Sequence, residues 1–125
     1  MISGYIEYKD RANAVAEFTL DFGSQNVLVF VWRDVRGLRR NTAFEGDYVG
    51  AYVAYPMRKK RSGLFGEIHL VQGRIGAGYV AHEIQHFVYD WQWTQPQSRN
   101  LNERCALLAG NVTRQFWKRW YARRK

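Results

Sequence analysis

The stretch "GYVAHEIQHFVYDW" (residues 78–91) contains two histidines four residues apart, with a glutamate directly after the first. Its apolar residues recur at helical spacing, which predicts a helix from about residue 79 to residue 93. At 100° per residue, His82 and His86 lie about 40° apart on the helix surface and one turn from each other. The apolar side chains gather on the opposite side: Val80, Ile84, Phe87, Val88 and Trp91. The histidines therefore lie off the predicted core face, which disfavours a purely structural role in the core.

Two imidazoles at positions i and i+4 of a helix can bind one tetrahedral zinc ion. Glu83, next to the first histidine, can then reach a water molecule in the same site. The spacing therefore predicts a metal site with His82 and His86 as ligands and one Zn²⁺ per chain.

The segment "HEIQH" (82–86) resembles the HExxH signature of zinc metallopeptidases, and the resemblance covers about residues 66–112. It implies a zinc-dependent peptidase that hydrolyses peptide bonds of a protein substrate through a water that zinc activates. Glu83 would be the general base. The implied fold is a zincin-like α+β domain over residues 1–125. In it, a small, mostly antiparallel sheet packs on the HExxH helix and on a second helix that carries a glutamate.

The third metal ligand decides the type of zincin. No histidine follows His86, and the acids that follow it are Asp90 and Glu103. Asp90 lies about 6 Å farther along the helix axis than His86, which is too far for a compact tetrahedral site. Glu103, at the start of the next predicted helix, is the third ligand by elimination. Its alternative role is that of a capping-box partner of Asn100, three residues before it.

The segment "NERCALLAG" (102–110) resembles the glutamate helix of gluzincins, whose third ligand is such a glutamate. Ala106 and Gly110 lie beside Glu103 on one helix face, so we expect this face to approach the histidine helix. Thermolysin-like gluzincins have an aspartate where this chain has Leu107, so Asp90, Asn102 or main-chain carbonyls would have to orient the ligands. The chain looks more like the compact gluzincins of bacteria and phages, including the ImmA/IrrE-type group, although it lacks that group's EAN-type sequence.

Three further residues are candidates for stabilising the oxyanion or contacting substrate: His69, Tyr79 and Tyr89. Each has a structural role as its alternative. His69 belongs to the segment "GEIHLV" (66–71), which is short and polar enough to form an edge strand. In zincins the edge strand receives the backbone of the substrate.

The rest of the chain predicts mainly strands before the motif helix. Residues 26–32 form a β-branched and aromatic run typical of a strand buried on both faces. Residues 48–55 are a second strand, and residues 2–8 alternate weakly. Residues 11–20 are ambiguous, with a helix capped by Asp10 slightly favoured. A last helix is predicted from about residue 101 towards the C-terminus.

The formal net charge is +8, and the basic residues cluster at 33–40, 58–61 and 114–125. The last of these segments carries six positive charges and no acid, with aromatic residues interleaved. Such segments attract nucleic acid or an acidic partner, whereas the alternative is an ordinary solvated basic surface. The competing function is therefore a nucleic-acid-associated or regulatory protein in which zinc is mainly structural.

Composition limits the class of protein. With 46% apolar residues in 125, the chain can build one folded domain. No apolar run approaches the roughly 18 residues that span a membrane, and the N-terminus lacks the pattern of a signal peptide. Cys105 is the single cysteine, so no internal disulfide can form. We therefore expect a cytoplasmic protein.

Overall fold

The chain folds into an α+β structure in which helices cover both faces of a four-stranded sheet. The computed structural model describes residues 6–44, 49–54 and 63–123. A 3₁₀ turn, Arg11–Asn13, comes first among the elements. It is followed by β1 (Ala14–Phe22), β2 (Gln25–Trp32), α1 (Val35–Thr42), β3 (Gly50–Ala54), β4 (Leu64–Val71), α2 (Ala77–Gln92) and α3 (Leu101–Arg123).

The first strand corrects the prediction of a helix over residues 11–20. Ala16, Phe18 and Leu20 are buried while Glu17 and Asp21 are exposed, so this segment has the two-residue period of a half-buried strand. Asp10 precedes only the 3₁₀ turn, and its side chain makes no capping hydrogen bond there. Gly23, with φ of 64°, begins the two-residue turn that joins β1 to β2 as an antiparallel hairpin.

The sheet has the strand order β1-β2-β4-β3 and is mixed. β2 and β4 are parallel, whereas the β1–β2 and β3–β4 pairings are antiparallel. The predicted edge strand, residues 66–71, is therefore a central strand with a neighbour on each side. β3 instead forms the edge of the sheet next to β4.

The polar residues of β4 are buried, which explains why their polarity was a misleading sign of an edge. Glu67 and His69 are both fully buried, and Glu67 Oε1 lies 2.9 Å from His69 Nε2. Trp32 Nε1 donates to His69 Nδ1 at 2.9 Å, and the Tyr8 hydroxyl donates to Glu67 Oε2. Because Nδ1 accepts, Nε2 carries the proton of the neutral ring and donates to Glu67. These side chains satisfy one another instead of facing solvent.

The larger core lies between the sheet and the pair α2 and α3, and a smaller one lies beneath α1 on the other face. The larger core contains Val29 and Ile68 of the sheet, Phe87 of α2 and Phe116 of α3. The smaller contains Phe30, Trp32 and Leu38. β2 contributes alternate residues to both cores, so the prediction of a strand buried on both faces is confirmed.

The two C-terminal helices and the strand near residues 48–55 are also confirmed within the described residues. Residues 33–40, predicted only as a basic cluster, form much of α1, whose N-cap Asp34 accepts from the main chain of Gly37. Residues 6–8 are not in a strand, and residues 1–5 lie outside the described part, as do the basic segment 58–61 and the last two residues of 114–125. None of the described helices combines the length and apolarity needed to span a membrane.

Candidate metal centre

α2 carries the histidine pair on its solvent face and packs its opposite face into the larger core. Val80, Ile84, Phe87 and Val88 are buried, as the helical spacing predicted, while His82 and His86 are exposed. α2 follows directly after β4, and Gly73, with φ of 87°, makes the turn between them. The helix α2 therefore begins beside the end of β4, with its apolar face in the larger core and the histidine face towards solvent.

The two imidazoles converge on one point. His82 Nε2 and His86 Nε2 are 3.2 Å apart, and the rings meet at 78°. Two nitrogens bound to one tetrahedral zinc at 2.0–2.1 Å would be roughly 3.3 Å apart. The same spacing also permits a hydrogen bond between two neutral rings. The residues around the pair must therefore distinguish metal binding from a simple hydrogen bond.

Glu83 differs from both histidines because it is buried. Its side chain is 7% exposed, against 67% for His82, and its Oε2 lies 4.0 Å from His82 Nε2. Its other oxygen, Oε1, is buried and has no hydrogen-bond partner among the described residues. Burial raises the pKa of Glu83 to about 7, since the charged carboxylate is poorly solvated there. A buried carboxylate oxygen without a partner among the described residues is costly, which suggests that a water or a cation completes the site.

The main chain of β3 approaches Glu83 closely at Gly50. A Cβ atom at this position would lie 2.6 Å from Glu83 Oε2. Only glycine therefore lets the edge strand pass the carboxylate without displacing it. Gly50 thus permits the close approach of the edge strand to the motif helix.

A cavity of about 300 Å³ opens over these side chains. It is lined by Phe44, Gly50, Ala51, Tyr52, His82, Glu83 and His86. A second cavity, which shares Gly50, His82 and Glu83 with the first, extends past Tyr79 at the start of α2. The three motif residues thus lie at a cleft whose other wall is the edge strand β3.

Tyr52 links this wall to α2. Its hydroxyl donates to Asp90 Oδ2 at 2.8 Å, one turn beyond His86 on the helix. Asp90 is thereby engaged with β3. His82, Glu83 and His86 are the one group of three or more His, Cys, Asp or Glu side chains in the described ranges that is gathered closely enough to hold a metal.

Glu103 is not brought to the histidine pair. It is exposed in the first turn of α3, on the face opposite to the buried Leu101, Cys105 and Leu108. Leu107, which is 64% exposed, shares that outer face. The expectation that the face with Glu103, Ala106 and Gly110 packs on the histidine helix is therefore wrong.

The start of α3 contacts the far end of α2. Arg104 donates to Gln95 Oε1 at 2.7 Å, and its guanidinium lies 5.6 Å from the centre of the Trp91 ring. Trp91 is five residues past His86, roughly 7.5 Å along the axis. The capping box is not formed either, because Asn100 Oδ1 accepts from Ser98 Oγ at 2.7 Å and is not bonded to α3 among the described contacts.

The three candidate oxyanion or substrate contacts lie in different places. Tyr79 is 43% exposed and lines the second cavity beside His82 and Glu83. Tyr89 is exposed, packs against Trp93 and does not line either cavity. His69 is fully buried on the α1 face of the sheet, opposite to α2, so it cannot contact a substrate at the cleft.

Sequence reasoning missed Gly50 and Tyr52 as parts of the site. Both lie in the correctly predicted strand near residues 48–55, but nothing local in that segment indicates that it borders α2. The polarity of residues 66–71 was the feature that pointed to an edge strand, and it assigned the edge of the sheet to this strand instead of to β3. A search of protein-family models, of curated proteins and of solved structures found no match for this chain.

Proposed function

We propose that the protein is a zinc-dependent peptidase whose catalytic site is formed by His82, Glu83 and His86. One observation carries the proposal: a buried, unpartnered carboxylate oxygen of Glu83 lies at the same cleft where two histidine nitrogens converge. The histidines would hold the metal, and their nitrogen spacing fits a tetrahedral ion. Bound there, zinc would acidify a water molecule and polarise the carbonyl of the substrate.

Glu83 supplies the proton transfers. One of its oxygens accepts a proton from the attacking water while the water oxygen bonds to the carbonyl carbon of the peptide. The carboxylic acid then returns this proton to the amide nitrogen as the C–N bond breaks. In the metal-free protein burial raises the pKa of Glu83 to about 7, so its carboxylate is a stronger base there than an exposed glutamate.

β3 is suited to hold the substrate. It is the edge strand beside α2, and no described strand pairs with its free side. A peptide added there would run along Gly50, Ala51 and Tyr52, which line the cleft, and so pass Glu83. Tyr79, at the second cavity, is placed to contact residues on one side of the cleaved bond.

The competing function, a structural zinc in a regulatory protein, is less well supported. Structural zinc sites usually take four protein ligands, and the described residues gather three candidate side chains. One of these, Glu83, lies beneath the open cleft rather than closing it. Ligation by Glu103 would require the first turn of α3 to turn towards α2.

The test is cleavage of an unfolded protein substrate by the zinc-loaded wild type and by Glu83→Gln. We expect the variant to keep its fold and its zinc but to lose at least about 10²-fold in rate, the size typical of removing a general base. Gln85→Ala, an exposed position on the same helix outside the cleft, is the matched control and should cleave normally. Equal rates for wild type and Glu83→Gln would refute the proposal.

A further inference from the structure

The outer face of the C-terminal half of α3 combines a stacked pair of aromatic rings, one of them exposed, with cations that make no ion pair with described residues. We define the α3 outer face as Arg114, Trp117, Lys118 and Tyr121. These residues are spaced three or four apart, so they are neighbours on one side of the helix. Arg114, Lys118 and Tyr121 are exposed, and Trp117 is half-buried.

The two rings form a stacked pair. The centres of Trp117 and Tyr121 are 5.6 Å apart with an interplanar angle of 27°. Trp117 is also held from within the core by an edge contact with Phe116, with ring centres 5.0 Å apart. Tyr121 stacks on this fixed ring and is still 56% exposed. A rigid, solvent-facing aromatic platform of this kind suits stacking by a further planar ring.

The charged residues of α3 around these side chains are all basic. From Arg104 to the end of the chain there is no acidic residue. Neither Arg114 nor Lys118 makes an ion pair with any described residue. Asp21 of β1, which contacts α3, is bonded to Gln115 through its main-chain atoms. The cations are therefore available to an external anion.

We infer that the α3 outer face binds single-stranded nucleic acid, with a base stacked on Tyr121 and with phosphates at Arg114 and Lys118. Cations alone would bind an acidic peptide equally well, but an acidic peptide does not require an exposed ring such as Tyr121, stacked on Trp117. Single strands offer both unpaired bases and phosphates, and proteins bind them by this combination. This surface is separate from the cleft on α2, and the inference does not depend on metal binding.

The test measures binding of a fluorescein-labelled 20-nucleotide oligo(dT) by anisotropy over a range of salt concentrations. Tyr121→Ala should weaken binding about tenfold, the scale of one lost base stack, whereas Tyr121→Phe should stay within about twofold. Lys118→Gln should lower the salt slope by about 0.7, the value for one phosphate contact on a single strand. Arg99→Gln, which removes an exposed cation in the loop before α3 and outside the three basic clusters, is the control and should change neither quantity.

Three results would overturn the inference. One is absence of binding at low salt. The second is equal affinity of wild type and Tyr121→Ala for oligo(dT), provided that circular dichroism shows both proteins to be folded. The third is competition by polyglutamate as strong, charge for charge, as by unlabelled oligo(dT), because this would show an acidic-peptide surface without base stacking.

Discussion

Among single residues, Glu83 is the member of the HExxH segment that the fold buries, whereas His82 and His86 are exposed. Its carboxylate is buried beside the edge strand, and Oε1 has no partner among the described residues. In the metal-free protein this arrangement costs stability whenever the group is ionised. The residue that would act as the general base thus carries the buried side-chain oxygen that lacks a hydrogen-bond partner among the described residues.

This cost predicts a pH dependence of stability in metal-free protein. Folding raises the pKa of Glu83 from 4.5 to about 7, so between these values the folded protein binds more protons than the unfolded chain. The free energy of unfolding should therefore fall as pH rises through this window, by at most about 3 kcal/mol, and level off above it. Urea unfolding of wild type and Glu83→Gln with chelator would isolate this component. A difference between the two that does not vary with pH would contradict it.

Gly50 provides a second test at this scale. Gly50→Ala should displace the Glu83 carboxylate, since the new Cβ would lie 2.6 Å from Oε2. We expect a loss of at least about tenfold in cleavage rate with zinc content retained, because a small misplacement of a catalytic group is costly. Gly110→Ala is the control, as a Cβ there meets nothing within 4 Å and should stabilise α3 by about 0.5–1 kcal/mol. Normal cleavage by Gly50→Ala would show that this approach does not position Glu83.

At the scale of elements, local patterns predicted α2, α3 and β2, but not which strand borders α2. The burial pattern of a strand can be predicted from its own residues, whereas the strands and helices that lie beside it depend on the path of the whole chain. β4 illustrates this, because its Glu67 and His69 looked like solvent-facing residues. They instead bond to each other inside the fold, and His69 also accepts from Trp32. The helix slightly favoured over residues 11–20 was wrong, because that prediction depended on Asp10 as an N-cap, whereas burial alternates around Glu17 as in a strand.

The orientation of α3 makes a prediction about the third ligand. Because Glu103 faces solvent and its neighbour Arg104 contacts Trp91 at the far end of α2, Glu103→Gln should change zinc affinity by less than about twofold. Competition with a chromogenic zinc chelator would measure this. A loss greater than tenfold would instead show that the first turn of α3 moves to the metal on binding.

In the molecule as a whole, the sheet separates two polar clusters that lie in different surroundings. The buried set around His69 lies between the sheet and α1, and the His82–Glu83–His86 group lies on the α2 side at the edge strand. The sequence alone supplied all three members of the second group, because they share one helix. Gly50 and Tyr52 could not be predicted in this way, because they lie on β3 and are brought to the site only when the chain folds.

Zinc stoichiometry, measured by mass spectrometry on gently purified protein, tests whether the histidine pair binds metal. We expect close to one zinc per chain for wild type and for Glu83→Gln, and a loss of most of it in His82→Ala and in His86→Ala. The bound metal should also raise the melting temperature, since a ligand that binds the folded state stabilises it. A wild-type protein that binds no zinc, or histidine variants that keep a full complement, would contradict the account.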